Sequence, residues 1–215
     1  MRRAERQLGR WDSSIRRGSL ASKGPMGLLD IITGKRKLAP PAQDRLFAIS
    51  TAYVLFETQL EITSRGTAAI VFQPLHTADF AGIVRDMEEV VRATCADSDT
   101  TVDTSDDSYG YRWLILRGKD FDQLVVGINA VSGAIEAGGY GERLLCAVFA
   151  FDDERKRPLY WIYNYKRGAF YPFVPASGDE QRDTERELVL KAQVGAELPV
   201  EQELERWFPL WGIPI

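Results

Sequence analysis

Apolar positions along the chain follow two periods, and the change of period predicts where helices give way to strands. In three stretches they recur at steps of three and four residues, which places them along one side of an α-helix. The three predicted stripes are Leu46, Ile49, Tyr53 and Phe56, then Phe80, Ile83, Val84, Met87, Val90, Val91 and Cys95, then Phe121, Leu124, Val125, Ile128, Val131 and Ile135. Helical signals over residues 182–194 and 199–207 predict two further helices.

Residues at the helix ends support the first and third of these predictions. Asp44 precedes the first stripe, where a carboxylate can accept from the unpaired backbone N–H groups of the first turn. Asp120 and Gln123 resemble a capping box at the start of the third helix. Gly138 and Gly139 follow its last turn, and glycine ends a helix readily because it accepts the left-handed conformation.

Runs of alternating or wholly apolar residues lie between the helices and predict strands. The predicted strands cover residues 68–72, 109–116, 144–151, 159–165 and 169–174. The run 144–151 is apolar on both sides, which predicts a central, covered strand. Residues 166–168 predict a tight turn, and Pro172, which has no N–H for a neighbouring strand, predicts an edge position for the last strand. The whole pattern predicts an α+β fold, a mostly antiparallel sheet with helices packed on one face in two layers.

The chain divides into three predicted parts. Residues 1–25 are rich in Arg, Ser and Gly and lack the apolar run of a secretory signal. This composition predicts a disordered basic extension, or an assigned start ahead of the true one at Met26. Residues 26–41 form a short amphipathic segment with a proline linker, and residues 42–215 form a single α+β domain.

The second part carries an apolar stripe followed by cations. Its members are Leu28, Leu29, Ile31, Ile32, Lys35, Arg36 and Lys37. Aliphatic side chains on one side of a short helix, next to positive charge, are typical of a segment that lies on a membrane surface. The alternative is a first helix that docks on the core of the protein itself. The sequence leaves both interpretations open.

Charge bears on the possible partners, and cysteine content bears on the cellular compartment. The net charge is −4, and the first 25 residues are basic, so the rest of the chain is acidic. An acidic body argues against nucleic-acid binding, which depends mainly on Lys and Arg neutralising phosphates. Two cysteines without close spacing, Cys95 and Cys146, fit neither a multi-disulfide framework nor a cysteine-based zinc site, and the sequence leaves a single disulfide open. We therefore predict a reducing, cytoplasmic setting.

Residues able to carry catalysis are few. His76 is the single histidine, and a lone histidine beside a helix start is more often structural than catalytic. An acidic stretch resembles a calcium loop at Asp97, Asp99, Asp103, Asp106 and Asp107. A calcium loop counted from Asp97 needs Gly and Glu where the chain has Val102 and Ser108, so a solvated acidic loop is predicted. We predict a protein that is not an enzyme and that uses neither a metal nor a cofactor.

Aromatic residues concentrate in the last two predicted strands and at the C-terminus. Alternate residues of one strand point to opposite faces of a sheet, so these rings cannot all face one core. Some must cover an open face, contact a partner or lie under the C-terminal tail. The predicted partner-binding or tail-docking residues are Tyr163, Tyr165, Phe170, Tyr171, Trp207 and Trp211.

Four segments resemble the PspA-associated protein B family (PspAB). They are residues 26–30, 108–113, 165–173 and 205–212, and the resemblance spans residues 26–215. It implies a small cytoplasmic accessory of the phage-shock envelope-stress system, with the PspA coiled-coil membrane-remodelling protein and a membrane metalloprotease as expected neighbours. The family offers no established catalytic residues. The order of helices and strands is also similar to secretion-chaperone-type α+β folds.

Three functional hypotheses follow. The leading one is a non-enzymatic adaptor of the phage-shock response that binds a PspA-like protein, with peripheral contact at the inner face of the membrane. A second is a secretion-chaperone-like homodimer that holds an unfolded client segment. A third is a small-molecule sensor or enzyme with a pocket near His76 or Arg112.

Overall fold

A computed structural model describes residues 45–75, 77–94, 99–178, 180–195 and 197–215, with the backbone alone at residues 79, 83, 90 and 94. The helices are α1 (Ala48–Gln59), α2 (Ala78–Thr94), α3 (Phe121–Ala137) and α4 (Thr184–Val194). The strands are β1 (Thr63–Phe72), β2 (Thr101–Asp106), β3 (Arg112–Arg117), β4 (Leu144–Asp152), β5 (Pro158–Asn164) and β6 (Ala169–Phe173). Short 3-10 turns occur at Gly141–Arg143 and Leu204–Arg206.

All six strands join one antiparallel sheet in the order β2-β3-β1-β4-β5-β6. β4 lies between β1 and β5, so the prediction of a central, covered strand is confirmed. β6 is an edge strand, where Pro172 lies opposite Trp161 and needs no outer hydrogen-bonding neighbour. The predicted α+β fold with an antiparallel sheet is confirmed.

The first three helices cover one face of the sheet, which we call the helical face. Phe149 on β4 lies opposite Trp161 on β5, so the two rings share that face. The ring of Phe121, at the start of α3, lies 5.9 Å from the ring of Phe149. Phe56 on α1 stacks on Trp161 with 5.6 Å between ring centroids. Burial of these large rings against the helices supplies much of the hydrophobic stabilisation of the domain.

The helical stripes predicted from the sequence face this core. In α1 and α3 every predicted member is buried except Tyr53, which is half-buried, and in α2 the stripe is buried at Phe80, Val84, Met87 and Val91. Asp120 caps α3 by accepting from the backbone N–H of Gln123 at 3.1 Å. Gly139 follows the helix with φ of +83°, as predicted from glycine's tolerance of that conformation.

The acidic stretch is not a loop over its whole length, which corrects the prediction. Residues Thr101–Asp106 form β2 and pair with β3 along all six residues. The alternation signal was hidden because most of these side chains are polar and exposed on an edge strand, where charged residues discourage pairing with a second chain. The neighbouring strand also starts later than predicted, at Arg112. The Asp107 carboxylate accepts from the N–H groups of Tyr109 and Tyr111, both at 2.9 Å, and so forms the turn between the two strands.

The helix predicted over residues 199–207 is also wrong. The chain there is extended and contains only the 3-10 turn at Leu204–Arg206. The N–H of Phe170 on β6 donates to the Pro199 carbonyl, and the N–H of Glu201 donates to the Phe170 carbonyl, both at 2.8 Å. These bonds hold the segment beside the edge strand, and a helix could not make them.

Several predictions fall outside the described residues. They concern Asp44, His76, Cys95, the whole of residues 1–41, and therefore the membrane-surface residues Leu28, Leu29, Ile31, Ile32, Lys35, Arg36 and Lys37. In the part of the chain that the structure describes, no helix has the length and apolar character required to cross a bilayer.

Candidate functional site

The hairpin of β5 and β6 positions most of the aromatic residues that were predicted as a contact surface. Its turn closes through the Gly168 N–H, which donates to the Asn164 carbonyl at 2.8 Å. The Asn164 side chain accepts from the Lys166 N–H at 3.1 Å. Gly168 has φ of +60°, a conformation that a residue with a Cβ rarely adopts.

Three of the predicted residues point to the helical face. Tyr163 lies opposite Phe170, and their ring centroids are 4.7 Å apart. Tyr163 and Phe170 are fully buried, and Tyr165 is 8% exposed. These three rings belong to the core between the sheet and the helices, so they leave almost no surface for a partner. Their role in partner binding stays a prediction.

The other three predicted residues meet on the opposite face of the sheet. Tyr171 lies opposite Ile162, in the pair next to Tyr163 and Phe170, and therefore points away from the helical face. Its ring is 6.5 Å from the ring of Trp207 and nearly parallel to it. Its hydroxyl donates to the Phe208 carbonyl at 3.1 Å. Trp211 packs edge-on against Phe173 at 5.1 Å, so the C-terminal segment covers this end of the sheet.

A buried ion pair, which the sequence did not predict, also holds the C-terminal segment. Glu187 on α4 is fully buried and lies 2.6 Å from the Arg182 guanidinium. The other carboxylate oxygen accepts from the Val174 N–H at 2.9 Å, next to the end of β6. Arg182 also donates to the Trp207 carbonyl at 2.7 Å. One carboxylate therefore connects the helix, the edge strand and the C-terminal segment.

Burial and the neighbouring charges act in opposite directions on the Glu187 carboxyl. Burial raises the pKa of the Glu187 carboxyl above its usual range, although Arg182 and the Val174 N–H act in the opposite direction. The Arg182 guanidinium lies 5.6 Å from the centroid of the Phe173 ring, which provides a cation–π contact. A glutamate in the first turn of an exposed helix normally faces solvent, so no local sequence signal could have singled out Glu187.

Four exposed apolar side chains lie on α4 and on the C-terminal segment, the two elements that meet at this junction. The large hydrophobic residues that remain exposed on α4 and the C-terminal segment are Leu188 (41%), Val189 (40%), Leu204 (46%) and Phe208 (45%). The two segments are linked by Lys191, whose ammonium donates to the Gln202 carbonyl at 3.2 Å and lies 5.7 Å from the Trp207 ring. We call these four side chains the α4–tail surface. The sequence did not predict it, because the path of the tail decides which residues stay uncovered.

Two buried tyrosines differ in their hydrogen bonding, which gives a matched test. Tyr165 lies near Ser132, but its hydroxyl has no hydrogen-bond partner within the described residues. The Ser132 hydroxyl donates its own proton to the Asn129 carbonyl. Burial raises the pKa of both Tyr165 and Tyr171, so both hydroxyls stay protonated at neutral pH.

We expect Tyr171→Phe to lower the free energy of unfolding by about 1 kcal/mol, because it removes the hydrogen bond to the Phe208 carbonyl. Tyr165→Phe should leave it unchanged or raise it, since an unpaired buried hydroxyl is costly. Urea unfolding followed by circular dichroism measures both. Equal losses in the two variants would show that Tyr165 has a partner after all.

Two other residues with reactive or charged side chains, Arg112 and Cys146, are held in an ion pair or buried. Both oxygens of the Asp106 carboxylate accept from the Arg112 guanidinium, at 2.7 and 2.8 Å, so Arg112 is held in the β2–β3 hairpin. Cys146 is a free thiol, and its burial raises its pKa to about 12, which opposes formation of the reactive thiolate. Among the described residues no group of three or more His, Cys, Asp or Glu side chains is placed to hold a metal ion.

The family model described as PspA associated protein B matches residues 26–215. The chain belongs to this PspAB family. The match includes every helix and strand described above, together with the hairpin, α4 and the C-terminal segment. No curated protein and no solved structure is significantly similar to the chain. The family description associates its members with PspA.

Proposed function

We propose that this PspAB-family chain is a non-enzymatic accessory of the phage-shock response that binds a PspA protein in the cytoplasm. The observation that carries the proposal is the α4–tail surface. The structure has eight exposed large hydrophobic residues within its described part, and four of them lie within residues 188–208. Exposed apolar side chains concentrated in one region are typical of protein contact surfaces.

The buried aromatic residues support this surface without forming it. Trp207 is 4% exposed and lies under Lys191, while its neighbour Phe208 is exposed. Tyr171 stacks on Trp207 and donates to the Phe208 carbonyl, so it helps to fix where Phe208 emerges. We therefore propose that the hairpin, whose aromatic residues the sequence predicted as part of the contact, acts by positioning this surface.

The charged residues around the α4–tail surface suit a reversible protein–protein contact. Glu185, Glu203 and Glu205 are exposed beside the apolar side chains, and Arg206 pairs with Glu203 at 2.8 Å. A polar rim around a small apolar centre keeps a free protein soluble. The excess of carboxylates favours a partner segment that carries Lys or Arg beside its apolar residues.

We expect the double variant Leu188→Ser and Phe208→Ser to weaken capture of a purified PspA protein at least about tenfold, because it removes apolar contact area from both elements of the surface, α4 and the C-terminal segment. The matched control is Val54→Ser with Val126→Ser, which changes two exposed valines on α1 and α3. Biolayer interferometry of full-length chains gives both affinities.

Unchanged circular dichroism and thermal midpoint in the two double variants establish that a loss of binding is not a loss of folding. The proposal is wrong if the wild-type chain fails to bind PspA. It is also wrong if the α1–α3 control weakens binding as much as the change in the α4–tail surface does.

A further inference from the structure

Arg186, in the first turn of α4, carries a guanidinium that the described part of the protein leaves unpaired. The side chain is partly buried, and its Nε is shielded from solvent without a hydrogen-bond acceptor. Within the described residues the guanidinium takes part in no hydrogen bond and no ion pair, whereas the backbone N–H donates to the Asp183 carboxylate at 2.9 Å. A shielded donor without an acceptor is costly in a folded protein, so this one requires an explanation.

The carboxylates nearest to Arg186 in sequence are engaged elsewhere or point away from it. Both oxygens of the buried Glu187 accept from the Arg182 guanidinium. Asp183 caps the helix, and Glu185 is exposed about 100° further around the helix axis. This turn holds two arginines and three carboxylates, so it does not attract anions as a whole. The feature that singles out Arg186 is its missing partner.

The outer side of α4, which faces away from the core, is largely apolar next to this arginine. Leu188, Val189 and Ala192 are all exposed there, and the first two belong to the α4–tail surface. A helix that faces solvent normally carries polar residues on its outer side, so this composition favours a surface that a partner covers. Arg186 lies one helical turn before Val189, which makes the two side chains neighbours at the margin of the outer side.

We propose that Arg186 pairs with a carboxylate of PspA when an apolar segment of that protein covers the outer side of α4. The inference rests on the proposed binding of PspA and adds one chemical feature of the partner. A guanidinium presents two N–H groups in a plane that fits the two oxygens of a carboxylate. The Nε of Arg186 therefore gains in the complex the acceptor that it lacks in the free protein.

This pairing makes Arg186 a residue that determines specificity. A segment with the same apolar residues but no carboxylate at this point would bury the guanidinium further without pairing it, and so would bind less tightly. The exposed Glu203 and Glu205 lie on the C-terminal segment, where they favour cations of the partner. A carboxylate at α4 and cations at the C-terminal segment together set the orientation of the bound segment.

The unpaired guanidinium has a signature in the free protein. Arg186→Gln removes no hydrogen bond within the described residues, so the urea midpoint of the full chain should stay unchanged or rise. Arg182→Gln breaks the pair with the buried Glu187 and should lower the midpoint. Circular dichroism in urea measures both variants. A fall in Arg186→Gln as large as that in Arg182→Gln would show that Arg186 holds the fold together, and would overturn the proposal.

Binding of a purified PspA protein by the full chain, measured by biolayer interferometry, supplies the second test. We expect Arg186→Gln to weaken binding about tenfold or more, the loss typical of one hydrogen-bonded charge pair. The matched control is Arg155→Gln, which removes the same charge at a side chain that is 73% exposed and lies outside α4. It should change the affinity by less than about twofold.

The outcomes separate this inference from the proposed function. If the wild-type chain does not bind PspA, the proposed function fails and the inference fails with it. If the wild type binds and Arg186→Gln binds equally well, PspA binding stands and the pairing of Arg186 is wrong. An equal loss in Arg186→Gln and Arg155→Gln also overturns the pairing, because the effect then belongs to net charge and not to one contact.

Discussion

Replacing Glu187 by alanine should lower the free energy of unfolding by about 3 kcal/mol, at the lower end of what is lost when one partner of a buried ion pair is removed. The substitution leaves the Arg182 guanidinium without its carboxylate and the Val174 N–H without its acceptor. The expected loss is at the lower end because the Arg182 side chain is 21% exposed, so water can solvate it in part. Urea unfolding measures the change.

Two variants at nearby positions separate the causes. Glu187→Gln keeps an oxygen for the Val174 N–H and removes only the charge, so it should cost less than Glu187→Ala. Glu185→Ala changes an exposed glutamate in the same turn of α4 and should change stability by less than about 0.5 kcal/mol. If alanine at position 187 costs no more than alanine at position 185, the ion pair does not hold the junction together.

The pH dependence of this variant series has a defined sign. Burial raises the pKa of Glu187 in the folded state, so the fold favours the protonated carboxyl more than the unfolded chain does. The stability that this preference contributes is fully present below the ordinary pKa of glutamate and is lost as pH rises through the folded pKa. The stability of the wild type relative to Glu187→Gln should therefore fall as pH rises through that window.

Local periodicity explains why most of the fold was predictable. The stripes of α1 and α3 and the wholly apolar run of β4 are patterns formed by residues close in sequence. Such a pattern predicts directly which side of the element is buried. β2 was missed because an edge strand with exposed polar side chains has no apolar period, although its backbone pairs along its full length. The segment 199–207 carried helical signals, but hydrogen bonds between Phe170 and residues Pro199 and Glu201 overrode them.

The candidate site was predictable only where a simple packing argument applied. Alternation along β5 and β6 required some rings to leave the core, and the structure places Tyr171 with Trp207 on the second face. The ion pair and the α4–tail surface could not be predicted in that way. They depend on where the C-terminal segment crosses the sheet, which is set by contacts between residues far apart in sequence, such as that between Arg182 and the Trp207 carbonyl.

Trp207→Ala should produce a second large loss of stability, about 4 kcal/mol, within the range for truncating a buried aromatic side chain to alanine. The indole is 4% exposed and its N–H donates to the Glu201 carbonyl at 3.0 Å. The substitution leaves that carbonyl without its donor and removes the ring that faces Tyr171. A nearby exposed residue, Leu204, serves as control, since alanine there removes little buried area.

The loss at Trp207 should also appear as release of the C-terminal segment. Without the indole, Tyr171 and Phe173 on the second face lose part of their cover, so the variant should bind a hydrophobic dye and become sensitive to proteolysis beyond residue 200 before the domain unfolds. The α4–tail surface depends on that segment, so capture of PspA should fall in parallel. A Trp207→Ala variant with the stability of Leu204→Ala and an equally protected C-terminus would show that the aromatic stack does not hold the tail on the sheet.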